Sequence, residues 1–245
     1  MNLFVDAFAW LFDPVNWQGS GSIPQRLAEH LGYTAAAMIL AVIIAVPLGW
    51  WIGHTGRGKE FVVSLTGAAR ALPSFGLIFL FVMLVGVLLR EPASVVVLML
   101  LAIPPILAGA YSGFEVIDRR IIDAARAVGM TEWQIVWKVE VPLGLPLLFG
   151  GLRSAVLQVV ATAVLIVYIG LGGLGFDIVQ GIQLRNYDQM LGSALLVIAL
   201  ALVLDALFAL LERYAVPRGV RAGRNIDVRT TPLGRRATAE LTATV

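Results

Sequence analysis

Three ionisable side chains, Arg70, Arg153 and Asp205, stand inside otherwise apolar runs of this chain. A charge at the centre of a bilayer costs roughly 2.5 to 3.5 kcal/mol, so each needs a partner, water or a place near the interface. Asp205 lies seven residues before Glu212, which sets it about 10 Å into its run at 1.5 Å per residue. Arg70 lies at a similar depth from the same side. On these depths the expected arrangement is an intramembrane pair between Arg70 and Asp205 that locks helices together. Arg153 follows Pro142 by about three turns and is expected to anchor near the headgroups.

Other reactive chemistry is hard to assemble from these residues. Gly170, Gly172 and Gly175 fit a G-x-G-x-x-G spacing, but that pattern reads as dinucleotide binding only after a strand in a βαβ unit, and here it closes an apolar run. The glycines are better suited to a tight turn that lets backbones approach. His30 and His54 flank the first apolar run at opposite ends, so they do not make one metal site. The sequence has no cysteine, no HExxH, no phosphate-binding lysine loop and no Ser-His-Asp set. Neither a cofactor nor a metal is expected, and any energy for work must come from a partner.

The elements around these residues are those of a membrane protein. Hydrophobic residues make up 59% of the 245 and charged residues only 14%, against about 25% in soluble domains, and mean hydropathy is +0.86. Five runs are long enough to cross about 30 Å of hydrocarbon: 34–53, 61–89, 93–114, 143–176 and 190–211. Pro47 should kink the first, and Pro104 and Pro105 the third. Residues 1–27 form an amino-terminal segment in which Leu3, Phe4, Ala7, Phe8, Leu11 and Phe12 line one face of a helix too short to span. It reads as interfacial, with Trp10 and Trp17 near the headgroups. The fold class is therefore all-α integral membrane, with five spans, or six if the first helix also crosses. Residues 216–245 read as a basic, disordered tail.

Between the third and fourth runs lies a charged helical hairpin. Ile117, Ile121, Ala124, Ala125 and Val128 recur at steps of three and four, with Asp118, Arg119, Arg120, Asp123 and Arg126 between them. Gly129 is placed for a left-handed cap that stops this helix. Thr131 and Gln134 have the spacing of a capping box, and a second amphipathic segment runs from Trp133 until Pro142 ends it.

The spacing Asp123-Ala124-Ala125, then Gly129, then Val139, Val141 and Pro142 resembles the "EAA" loop of ABC-importer permeases of the type I, MetI-like fold, with Asp for Glu and Val for Ile and Leu. The resemblance extends over residues 28–215. It implies that Asp123, Ala124, Ala125, Gly129 and Pro142 form a cytoplasmic coupling helix and corner that dock onto separate ATPase subunits. The opening HLGYTAAAMILAVIIAVPLGWWIG, the stretch ARALPSFGL and Gly150 to Ala155 look most like the osmoprotectant branch, whose members import glycine betaine, choline or carnitine. By that resemblance the chain is a translocation subunit, not an enzyme, working with a second permease and an extracytoplasmic solute-binding protein. Ser74, Pro104, Gln158 and Thr162 are then candidates for lining the passage.

Charge gives an independent orientation. Arg57, Lys59, Arg119, Arg120, Arg126, Lys138 and the arginines after residue 212 fall on the hairpin side, against only Arg26, Arg90 and Arg185 on the other. The positive-inside rule places the hairpin in the cytoplasm of a bacterial inner membrane, the amino terminus outside and the carboxyl terminus inside. The net charge of +2 thus reads as topology and contact with membrane lipid, not nucleic acid. Two alternatives remain: a permease of the same class for methionine or another amino acid, and a secondary transporter. The latter would need intramembrane coupling carboxylates, of which Asp205 is the one candidate.

Overall fold

The computed structural model describes residues 2–71, 73–217 and 219, without the side chains at positions 63 and 68–71. Within them all regular structure is helical. The basic tail expected from residue 216 falls, apart from 216, 217 and 219, outside the described residues.

Helix α1 (Leu3–Phe12) leads through a short 3-10 turn into α2 (Ile23–Thr55), whose 33 residues extend to about 50 Å. This is longer than the expected 34–53 run. Its first turns carry Arg26, Glu29 and His30, which are polar in sequence but find partners in the fold. Gly56, in the left-handed region, ends it.

The second apolar run is not one helix. It divides into α3 (Lys59–Ala71) and α4 (Ser74–Val85), because Pro73 cannot donate an amide and is itself extended, at φ -71° and ψ 102°. Among the described residues four helical stretches, 23–55, 87–115, 132–169 and 187–215, are individually long and apolar enough to cross a membrane.

The centre of the bundle is α5 (Arg90–Glu115), held between α2 and α8 (Val141–Ala163). Small residues let these backbones meet, as lipid-embedded helices require when burial of apolar surface supplies no force between them. A β-carbon at Gly109 would stand 2.6 Å from the Leu147 carbonyl oxygen, and one at Gly151 would stand 2.5 Å from that of Pro105. Around this seam Val97, Leu98, Ile106, Leu107, Val159 and Val160 are fully buried.

Between α5 and α8 come α6 (Arg119–Ala127), α7 (Glu132–Ile135) and a π-helical turn over 136–140. Pro142 does not end the second segment. It sits in the first turn of α8, directly after the π turn, and the helix runs on through it. Past α8 a 3-10 stretch over 164–169 closes at Gly170, so the fourth run ends earlier than residue 176.

Helix α9 (Gly175–Leu184) then precedes α10 (Tyr187–Ala215). Helix α10 packs on α8 and presents Ile198, Leu202, Val203 and Leu207 outward, as a lipid-facing helix would. Helix α1 lies on the start of α10, where Ala7 is buried and Trp10 meets Gly192. Of the apolar face seen in sequence Ala7 is buried, while Phe4, Phe8 and Phe12 are exposed.

Candidate functional site

The hairpin is preorganised by its own short-range chemistry. Asp118 caps α6 by accepting the Arg120 N–H at 2.9 Å. At the other end Gly129 takes φ 85°, and the Met130 N–H returns to the Ala125 carbonyl at 3.1 Å. This is the left-handed helix stop that glycine permits. Thr131 and Gln134 complete the capping box: the Thr131 N–H donates to Gln134 Oε1 at 3.0 Å and the Gln134 N–H to Thr131 Oγ1 at 3.4 Å.

Across the corner Arg126 forks onto Glu132, with Nε to Oε1 at 2.8 Å and Nη2 to Oε2 at 3.1 Å, so the two arms are clamped by a bidentate pair. Those hydrogen bonds hold the Arg126 guanidinium above its ordinary range. In the sequence Arg126 is one of the polar-face residues of α6. The signal was present in an acid six residues away with a glycine corner between.

The hairpin has two apolar faces, not one. Ile117, Ile122, Ala125 and Ile135 are buried together, with Met130, Val139 and Leu143 packed on them. Ile121 and Val128, members of the same apolar period, point outward, and Val128 is 79% exposed. Of the sequence-picked residues, Asp123, Ala124 and Gly129 lie on the surface, Ala125 is inside, and Pro142 belongs to the start of α8. The outer strip Ile121, Ala124, Val128 is what a protein partner could cover.

The hairpin is also tied to the bundle. His54, on the last turn of α2, lies between Glu140 and Glu132, and Lys59 of α3 pairs with Glu115 at the end of α5. Trp50 stacks on Phe114 at 5.9 Å and meets the edge of Trp137 at 5.6 Å.

A second candidate surface runs along α8. Gly150, Ser154, Gln158 and Ala161 are exposed at steps of three and four, and Tyr168 continues the line beyond the helix. Uncovered serine and glutamine amid apolar helices call for water or a covering chain. Beside them is a cleft of about 460 Å³ lined by Thr66, Pro104, Ser112, Ser154 and Gln158 among others. The structure brings Pro104 and Gln158 to this cleft. It does not bring Thr162, which is 8% exposed and packed inside, nor Ser74, at the start of α4. Phe75 stands beside Tyr168, ring centres 5.3 Å apart.

Asp205, expected to pair with Arg70, has a partner on α8. Both Asp205 oxygens are taken by Arg153, Nε to Oδ1 at 2.9 Å and Nη2 to Oδ2 at 2.7 Å. The Arg70 side chain lies outside the described residues. The Arg153 partner follows from α8 and α10 being neighbours, which brings residues 153 and 205 to one level.

At the end opposite the hairpin the glycine loop meets α2. The Gly173 N–H donates to Glu29 at 2.9 Å, and His30 Nε2 reaches the Val160 carbonyl at 3.1 Å. Arg26 pairs with buried Asp177 at 2.9 Å and lies over the Phe176 ring at 3.8 Å. Neither partner of Glu29 nor that of Arg26 was visible in the sequence.

Comparison with known proteins supplies the frame for this geometry. The chain is 30% identical over 207 residues to the glycine betaine/carnitine/choline transport system permease protein OpuCB of Bacillus subtilis, with 84% of this chain and 94% of that one covered. It is 33% identical over 208 residues to the osmoprotectant import permease protein OsmW of Salmonella typhimurium, covering 82% and 95%. The fold is similar to that in an inward-facing structure of the MetNI methionine ABC transporter, with TM-score 0.70 and 22% identity over 80% of this chain and 96% of that one. An amino acid ABC transporter structure matches with TM-score 0.63 at 18% identity, covering 86% and 97%. Residues 45–218 match the model of the inner membrane components of binding-protein-dependent transport systems, and the chain belongs to that family of multi-pass membrane permeases.

Proposed function

We propose that this chain is the translocation subunit of an ATP-driven importer for a small quaternary ammonium osmoprotectant such as glycine betaine, choline or carnitine. The observation that carries the reading is the hairpin: a surface corner capped at both ends, clamped by Arg126 and Glu132, presenting Ile121, Ala124 and Val128 outward. Such a knob suits the groove of a separate ATPase, and Asp123, Ala124 and Gly129 are its contact residues, with Ala125 and Pro142 fixing its shape. The chain has no ATPase site of its own. The solute class is supported by the relatives whose names specify it.

The hairpin faces the cytoplasm, as the arginine distribution favours, and the carboxyl-terminal tail lies on the same side. Helices α3 and α4 cross together as the bent fifth span, and α1 rests at the outer interface on α10. Residues 28–215 are the transport unit. A second permease covers the exposed face of α8, so that Pro104, Ser154 and Gln158 line a shared passage, and a solute-binding protein delivers from the end that carries Arg26 and the glycine loop. The structure lends Ser74 and Thr162 no support as lining residues.

The test is uptake of radiolabelled glycine betaine into vesicles holding this chain, its ATPase and its binding protein, with Gly129→Asp as the comparison. Uptake that needs ATP and is lost in the folded variant supports both docking and solute class. Stimulated ATPase activity without betaine uptake would leave the importer and reject the solute; uptake without any ATPase would reject the importer.

A further inference from the structure

Four of the six tryptophans converge on one cleft at the hairpin end, outside the passage. Trp50 and Trp51 come from α2, and Trp133 and Trp137 from the second arm of the hairpin. The cleft has a volume of about 400 Å³, within the range of small-molecule sites. Trp133 meets Trp137 at 67° and 5.5 Å, and Trp137 meets Trp50 at 83° and 5.6 Å, so the ring planes turn around the space in place of stacking flat. Trp51 is 54% exposed and completes the open side. Glu132 places a carboxylate at the rim.

We propose that this cleft is a second binding site, for an alkylated ammonium group. Indole has the strongest cation–π attraction of the side-chain rings, and a box of such rings is the chemistry that holds a quaternary ammonium. A trimethylammonium group has no N–H to satisfy, so it fits walls that are almost wholly aromatic and apolar. Glu132 and His54 complete the rim, but Arg126 already pairs with Glu132, so the attraction comes from the rings.

The site straddles a seam. One half belongs to α2 and the other to the arm that carries the docking corner, and His54 bridges the same seam through Glu132 and Glu140. An occupant fastens the arm to α2. Resting on the proposed function, the consequence is feedback: imported solute accumulating on the hairpin side restrains the hairpin and slows further uptake. The ammonium group can come from that dissolved solute or from a choline lipid headgroup, and the test separates the two.

The complete transporter is placed in nanodiscs of phosphatidylglycerol and titrated with choline, read by tryptophan fluorescence and by retention of labelled choline. Its uncharged isostere 3,3-dimethyl-1-butanol is the control. The expected result is saturable choline binding, with the isostere about tenfold weaker, about fivefold loss in Trp51→Leu and in Trp133→Leu, and retention in Trp51→Phe. Equal binding of choline and isostere, or wild-type binding in both leucine variants with unchanged melting temperature, overturns the site.

Repeating the titration with phosphatidylcholine in the disc assigns the occupant: weakened choline binding identifies the lipid headgroup, unchanged binding the dissolved solute. In vesicles with betaine on the hairpin side, uptake should slow several-fold in wild type and not in Trp51→Leu. Equal slowing in both overturns the feedback while the site stands. Failure of the import reading is separate, since wild type would then take up no betaine from either condition although choline still binds.

Discussion

His54 and Glu140, 86 residues apart, meet with Nδ1 2.6 Å from Oε2, and the other ring nitrogen faces Glu132 at 3.4 Å. One side chain thereby fastens the end of α2 to both ends of the hairpin's second arm. Glu140 is only 2% exposed, and a buried carboxylate is tolerated when donors surround it. His54→Ala should lower stability by about 1 to 3 kcal/mol by removing that donor. Adding Glu140→Gln should restore much of the loss, because a neutral amide costs less to bury. Thermal unfolding in detergent micelles reads both, and an unchanged melting temperature for His54→Ala would show that the pair does not hold the seam.

The fork between Arg153 and Asp205 makes a second stability prediction. Either Arg153→Leu or Asp205→Leu alone leaves a charge in an apolar helix pair, which costs more than removing both. The double variant should therefore be more stable than the sum of the single losses implies. A double-mutant cycle on thermal unfolding settles the sign, and additivity for residues 153 and 205 would exclude a working pair.

Gly150 and Gly151 are neighbours with opposite surroundings. A β-carbon at Gly151 would meet the Pro105 carbonyl at 2.5 Å and the Gly109 Cα at 3.1 Å, whereas nothing lies within 4 Å of one at Gly150. Gly151→Ala should cost about 1 to 3 kcal/mol through forced separation of α5 and α8. Gly150→Ala should leave the melting temperature unchanged, and equal effects at the two positions would mean the helices are not in this contact.

The hairpin was legible because its signals are local: a capping box, a glycine stop and an amphipathic period are set by residues within about one turn of each other. Which of Ile121, Ile122 and Ala125 faced inward was not legible, since apolar residues lie on two sides of α6 and only packing against Ile135 chooses between them. The membrane class and most of the apolar runs followed from composition, while the break at Pro73 and the π turn before Pro142 required backbone geometry. The Asp205 partner depended on which helices are neighbours, a property of the whole bundle that depth along one run does not contain. The same holds for Glu29 with Gly173 and for Arg26 with Asp177.

That last pair supports a pH prediction. Asp177 lies on α9, at the end opposite the hairpin, and burial raises its pKa above the ordinary 3.8, with Arg26 and the Gln189 hydrogen bond pulling the other way. The folded chain therefore holds this proton more tightly than the unfolded chain. Stability from the site is full below about pH 3.8 and is lost as pH rises through the raised folded value, where ionisation becomes easier unfolded than folded. Asp177→Asn removes the titration but keeps an acceptor for Arg26. The difference in melting temperature, wild type minus variant, should fall as pH increases from about 3.8 and then level off. Thermal melts across a pH series read this directly; a difference that grows with pH over the same window would mean that attraction to Arg26 outweighs the cost of burying the carboxylate.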